Sequence, residues 1–131
     1  MKYVGLVLLL LLSHQTFSQE VESSPIDVVN ARMLAYNNHD LEAFLNTYSD
    51  YIEVYTYPDI KLGKSGIGQI SAIFKPMFKE GGISVKIHSQ ISNGNYVINH
   101  ETVTYNGIGK KYVSIYEVVN GKILSVRFVR E

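Results

Sequence analysis

From Ser24 onward the apolar residues of this chain recur first at helical spacing and later in alternation. Val29, Met33 and Tyr36 share one stripe with Arg32 beside them, which predicts a helix running to about Asn38. Its start is signalled by Ser24 as cap, Pro25 at the first helical position and Asp27 near the positive helix end. Asn37-Asn38-His39 breaks the pattern. Asp40 then caps a second, shorter helix with Leu41, Phe44, Leu45 and Tyr48 as its buried stripe. Tyr51 to Tyr57 reads as a strand ended by Pro58. A third helix is expected from Ser65 to about Lys79, with Ile67, Ile70, Phe74 and Phe78 on its apolar side. Gly66 and Gly68 weaken its start, Pro76 should kink or end it, and Gly81-Gly82 stops it.

Four strands follow: Ile83–Ser92, Asn95–Tyr105, Lys110–Val119 and Lys122–Arg130. They are separated by Asn93-Gly94, Asn106-Gly107 and Asn120-Gly121. Asn-Gly suits the tight hairpin turn because both residues tolerate positive φ, so an antiparallel meander is expected. If each pair is a two-residue loop and the pleat is uninterrupted, one face carries Val85, Ile87, Ser89, Ile91, Tyr96, Ile98, His100, Thr102, Val113, Ile115, Glu117, Val119, Leu124, Val126, Phe128 and Arg130. The other carries Lys86, His88, Gln90, Asn99, Glu101, Tyr105, Tyr112, Tyr116, Ser125 and Arg127, with Lys86 opposite Glu101. The first face is mostly aliphatic and is expected to meet the helices. Ser89, His100, Thr102 and Glu117 are its polar members, and such groups must be hydrogen-bonded or face a wet cavity.

Lys2, the apolar run Val4–Leu12 and the polar stretch to Gln19 read as a secretory signal over residues 1–18, cut after Ser18. Residues 19–24 are a polar leader and residues 25–131 one domain. The expected location is secreted or periplasmic, with no stable membrane insertion after cleavage. With Cys 0 there are no disulfides. Lys+Arg 12 balances Asp+Glu 12 without a basic run, so nucleic acid is not an expected partner. Histidine spacing and the lack of cysteine assemble no metal site, and no phosphate loop or nucleophile elbow implies a cofactor.

Tyr36-Asn37-Asn38-His39-Asp40-Leu41-Glu42-Ala43-Phe44, then Tyr48-Ser49-Asp50, Tyr57-Pro58, Gly63 and Val118-Val119-Asn120-Gly121-Lys122-Ile123 resemble the SnoaL-like group of the nuclear transport factor 2-like superfamily. The resemblance implies an α+β cone, in which a curved, mostly antiparallel sheet wraps N-terminal helices and leaves a pocket at the wide end. It also implies membership of a group that includes ketosteroid isomerases, polyketide cyclases, dehydratases, hydrolases and non-enzymatic binding domains. The ketosteroid isomerase Tyr, Asp and Asp positions fall at Arg32, Tyr57 and Ile115, or Tyr116 with a one-residue slip, and none of them matches. The Asp that SnoaL-type cyclases carry on the last strand has no counterpart from Leu124 to Arg130.

The expectation is a domain that binds a small, largely apolar molecule in its cone. If it is an enzyme, the chemistry is cofactor-independent acid–base isomerisation, dehydration or cyclisation, with His100 as proton shuttle or donor and Glu117 as second polar group. Arg32, Tyr36, Tyr55, Tyr57, Phe74, Thr102, Ile115 and Phe128 are expected to line the pocket. The rival expectation is a non-catalytic domain that forms a homodimer or docks a partner through the tyrosine-rich outer sheet face, using Tyr116 and Arg127.

Overall fold

A computed structural model describes residues 23–131; the signal segment read over residues 1–18 lies outside them. Helix α1 spans Pro25–Asn37, with Ser24 Oγ accepting the Asp27 N–H at 3.3 Å. Helix α2 spans Leu41–Asn46, capped by Asp40 Oδ1 on the Ala43 N–H at 3.1 Å. Helix α3 spans Ile67–Glu80, continues through Pro76 and stops at Gly81, whose φ of 75° suits glycine. The strands are β1 Tyr48–Thr56, β2 Ile60–Lys61, β3 Ile83–Asn93, β4 Tyr96–Tyr105, β5 Ile108–Val119 and β6 Lys122–Arg130.

The strands form one sheet in the order β2-β1-β6-β5-β4-β3. All neighbours pair antiparallel except β1 and β6, which run parallel. The sheet is curved and unclosed, and its concave face holds the helices, an α+β cone as expected. Tyr48 opens β1 instead of ending α2, and stays buried there opposite Ile123.

The meander is present, but its inner face is the other one. Strands β4 and β5 pair in the expected register, with His100 opposite Val113 and Tyr105 opposite Ile108. A bulge lies between Ile87 and Ser89, where Ile87 pairs with Glu101 and Ser89 with His100. A second lies at Leu124, since Val118 pairs with Ile123 and Glu117 with Ser125. One unpaired residue reverses the alternation beyond it. Ile83, Val85 and Ile87 therefore join the face of Glu101 and Val103. Val126 and Phe128 likewise join the face of Tyr116 and Ser114. Once those aliphatic residues change sides, Val97, Asn99, Glu101, Ser114, Tyr116 and Val118 are buried and His100 is exposed. Lys86 faces Thr102, not Glu101.

Phe44 centres the core. It is fully buried, and the rings of Phe74, Phe78, Tyr48 and Tyr36 lie 4.9, 5.0, 5.1 and 5.9 Å from its own. Tilted and edge-on pairs of this kind add to the burial itself. The end of α1 is clasped to edge strand β3. Asn37 Nδ2 donates to the Val85 carbonyl at 3.0 Å and its Oδ1 accepts the Val85 N–H at 2.8 Å. His39 Nε2 lies 2.9 Å from the Ile83 carbonyl. The clasp satisfies part of an otherwise open edge and fixes the face of α1 that carries Arg32 against the sheet.

Candidate functional site

Arg32 projects from the middle of α1 onto the concave face of the sheet and is 6% exposed. Its guanidinium carbon lies 5.1 Å from the Phe44 ring centroid, 5.4 Å from Tyr116, 5.5 Å from Tyr36 and 5.9 Å from Tyr48. The ring quadrupoles offset part of the cost of burying a cation. Nε donates to Tyr48 Oη at 2.6 Å, and Nη1 lies 3.4 Å from the Met33 sulfur. Nη2 has no hydrogen-bond partner among the described residues. No fully buried side-chain nitrogen or oxygen there lacks one, so Nη2 reaches open space.

That space is a cavity of about 260 Å³ lined by Arg32, Tyr36, Phe74, Glu101, Tyr112 and Phe128 among others. A second lobe of about 180 Å³, bounded by Tyr48, Ile70 and Val126, shares Arg32, Leu62, Ile73, Phe74 and Phe128 with it. Arg32 is thus the cationic floor of both lobes.

Glu101 faces Arg32 from β4 and is 1% exposed. Its Oε1 accepts from Ser114 Oγ at 2.6 Å and from Tyr116 Oη at 3.4 Å, and its Oε2 accepts from Asn99 Nδ2 at 3.3 Å. Three donors on the same sheet face hold the carboxylate without help from Arg32. Among the described residues the ion pairs are Lys61–Glu53 and Arg127–Asp59, so Arg32 and Glu101 are not in salt-bridge contact. Burial works against the Arg32 charge, but Tyr116, Tyr48 and Glu101 outweigh it and hold the guanidinium more firmly protonated than usual. Burial pushes the phenols of Tyr116, Tyr48 and Tyr36 above the ordinary tyrosine value, against the opposing pull of Arg32, so all three are neutral donors at pH 7. Among the described residues no group of three or more His, Cys, Asp or Glu side chains is placed to hold a metal.

The arrangement is a hydrocarbon-walled pocket with a cationic donor and a separate carboxylate at its base. The SnoaL-like domain model matches residues 29–126, which takes in both groups and the meander up to the middle of β6. The chain belongs to the SnoaL-like domain family. No curated protein sequence matches it. Similar solved folds include an NTF2-like protein of unknown function from Cytophaga hutchinsonii, with 16% identity, 86% of this chain and 94% of that one covered, and a TM-score of 0.72. An uncharacterized cystatin-fold protein from Novosphingobium aromaticivorans has 20% identity, coverage of 82% and 99%, and a TM-score of 0.72. An LEH-like epoxide hydrolase from M. tuberculosis has 20% identity, 82% coverage of each chain and a TM-score of 0.69.

Within this SnoaL-like cone the residues singled out from sequence part company. Arg32, Tyr36, Phe74 and Phe128 line the cavity. His100 is exposed on the outer face, its ring 5.2 Å from that of His88, because the β3 bulge brings both histidines to one side. Glu117 accepts from Tyr96 Oη at 2.9 Å on that same outer face. Thr102 Oγ1 lies 2.6 Å from His88 Nε2. Ile115 pairs with Arg127, and Tyr55 lies under the Arg127 guanidinium, 4.5 Å from ring centroid to guanidinium carbon, with its Oη donating to Glu53. Tyr57 is 54% exposed. Tyr116 and Glu101, read as outer-face residues, are at the base of the cone. The available signal was the pair Glu101 and Tyr116 sharing a face with Asn99: a carboxylate with donors on both sides.

Proposed function

We propose that this SnoaL-like domain binds a small, largely apolar molecule carrying one oxygen acceptor in its cone and performs acid–base chemistry on it. Arg32 Nη2 and Tyr48 Oη are the donors toward negative charge developing on that oxygen. Glu101, at the wall of the larger lobe, accepts the proton from a water or from an acidic C–H. The observation that carries the reading is that Arg32 and Glu101 open onto the same cavity and yet are not paired with each other. A purely structural ion pair would be in contact. The epoxide hydrolase and a putative ketosteroid isomerase from Kribbella flavida among the similar folds lend support to hydrolysis or isomerisation as the reaction class. In this proposal the leader read over residues 1–18 places the activity outside the cytoplasm.

The test uses cyclohexene oxide and an unconjugated cyclic enone as probes, with product formation followed by gas chromatography. Turnover of either probe should fall at least ~100-fold in Glu101→Gln and in Arg32→Gln, since each loses a positioned acid–base or oxyanion group. Turnover unchanged in Glu101→Gln, or no turnover and no thermal stabilisation by any probe, overturns the reading.

A second reading has its own observation. On the outer sheet face Ile91 is 64% exposed, Tyr96 46% and Val113 37%. We propose this face as the contact of a homodimer through the sheet; Ile91→Lys should then yield a monomer in sedimentation while leaving probe binding intact.

A further inference from the structure

The charges around the cavity do not balance. The larger lobe is lined by Arg32 and Arg130 against Glu101, and the smaller adds Lys64. Arg130 and Lys64 are exposed, and neither has a carboxylate within salt-bridge distance among the described residues. Glu101 has its own donors in Ser114, Asn99 and Tyr116 and does not use these cations. The walls between floor and mouth are Ile73, Phe74, Met77, Val103 and Phe128. A neutral guest leaves Arg130 of the larger lobe and Lys64 of the smaller without a counter-charge. A guest with one negative charge and a hydrocarbon body reduces that excess and buries apolar surface in the same step.

We propose that the cone selects amphipathic monocarboxylates of aryl or short alkyl acids, with the apolar body between the lobes and the carboxylate within reach of Arg130 and Lys64. This rests on the pocket reading above and narrows its ligand class. Phenylacetate and its neutral isostere phenylacetamide are suitable probes, titrated calorimetrically into the protein at pH 7 in low and high salt. Phenylacetate should bind about tenfold more tightly than the amide, as expected for charge-assisted against neutral contacts. The preference should shrink with salt, because the cations are solvent-exposed. In the double variant Lys64→Gln/Arg130→Gln the two affinities should converge to within about twofold. Equal affinities in the unmodified protein overturn the monocarboxylate assignment, a preference that survives the double variant overturns the placement of the carboxylate at Arg130 and Lys64, and either result leaves the pocket reading standing. Failure of both probes to bind or to raise the melting temperature also overturns the monocarboxylate assignment, and the pocket reading is then decided by cyclohexene oxide and the enone.

Discussion

Tyr48→Phe removes a single oxygen from the base of the cone, where Tyr48 bounds the smaller lobe. That oxygen accepts the Arg32 Nε–H at 2.6 Å, and both side chains are buried. A hydrogen bond to a charged group contributes about 1.5–3 kcal/mol, and its loss here leaves a buried N–H without its partner. The expected cost is therefore about 2 kcal/mol, or roughly 8 °C in melting temperature for a domain of this size. In an Arg32→Met background the same change has no donor to strand and should cost under about 0.5 kcal/mol, since removing both partners of a buried polar pair is close to neutral. Urea unfolding of the four proteins completes the cycle, with the m-value checked for constancy. A coupling of at least ~1 kcal/mol is expected. Costs that add to within about 0.5 kcal/mol would show that Arg32 does not depend on Tyr48 and would refute the picture of a tethered guanidinium.

Other outcomes can be checked on the same preparations. Phe44→Ala, at a site with no exposure and four aromatic neighbours, should cost about 3–5 kcal/mol, whereas Ile91→Ala at 64% exposure should stay within about 0.5 kcal/mol. Burial raises Tyr48 and Tyr116 above the ordinary value of 10.0, so unfolded tyrosines release protons that the folded ones still hold. Stability should be full below pH 10 and fall as pH rises above it. Tyr116→Phe should lessen that fall in pH-jump unfolding. Gly82→Ala should destabilise by more than about 1 kcal/mol, because φ is +74° and the new Cβ would lie 2.5 Å from Asn106 Oδ1. Mass spectrometry of protein recovered from the medium or periplasm should find Gln19 as the first residue.

How much of this was legible follows from the physics of each element. The caps at Ser24 and Asp40 and the turns at Asn106-Gly107 and Asn120-Gly121 are local chemistry, and they sit where their residues demand. The SnoaL-like motifs carried the cone. The two bulges were not legible, because nothing in His88 or Leu124 announces an unpaired residue, and each reverses the alternation beyond it. That alternation decided which polar groups entered the cone, so Glu101 was placed outside and His100 inside. Arg32 lines the cavity from a helix, where one bulge in the sheet cannot move it. Pro76 was expected to kink or end α3, yet the helix runs on to Glu80, keeps its tertiary contacts through Phe78 and accepts the lost bond.

The parallel joint between β1 and β6 brings together segments that the whole meander separates, Tyr48 beside Ile123. Closing so long a loop has an entropic cost that hairpin zipping does not, and contacts of this range slow the search for the native state. The three hairpins are therefore expected to assemble early and β1 to dock late. Until it docks, Arg32 lacks its phenolic partner, so the floor of the cone is the last part of the molecule to acquire its working shape. It should also be among the first to lose that shape: amide exchange should report earlier opening in β1 than in β4 or β5.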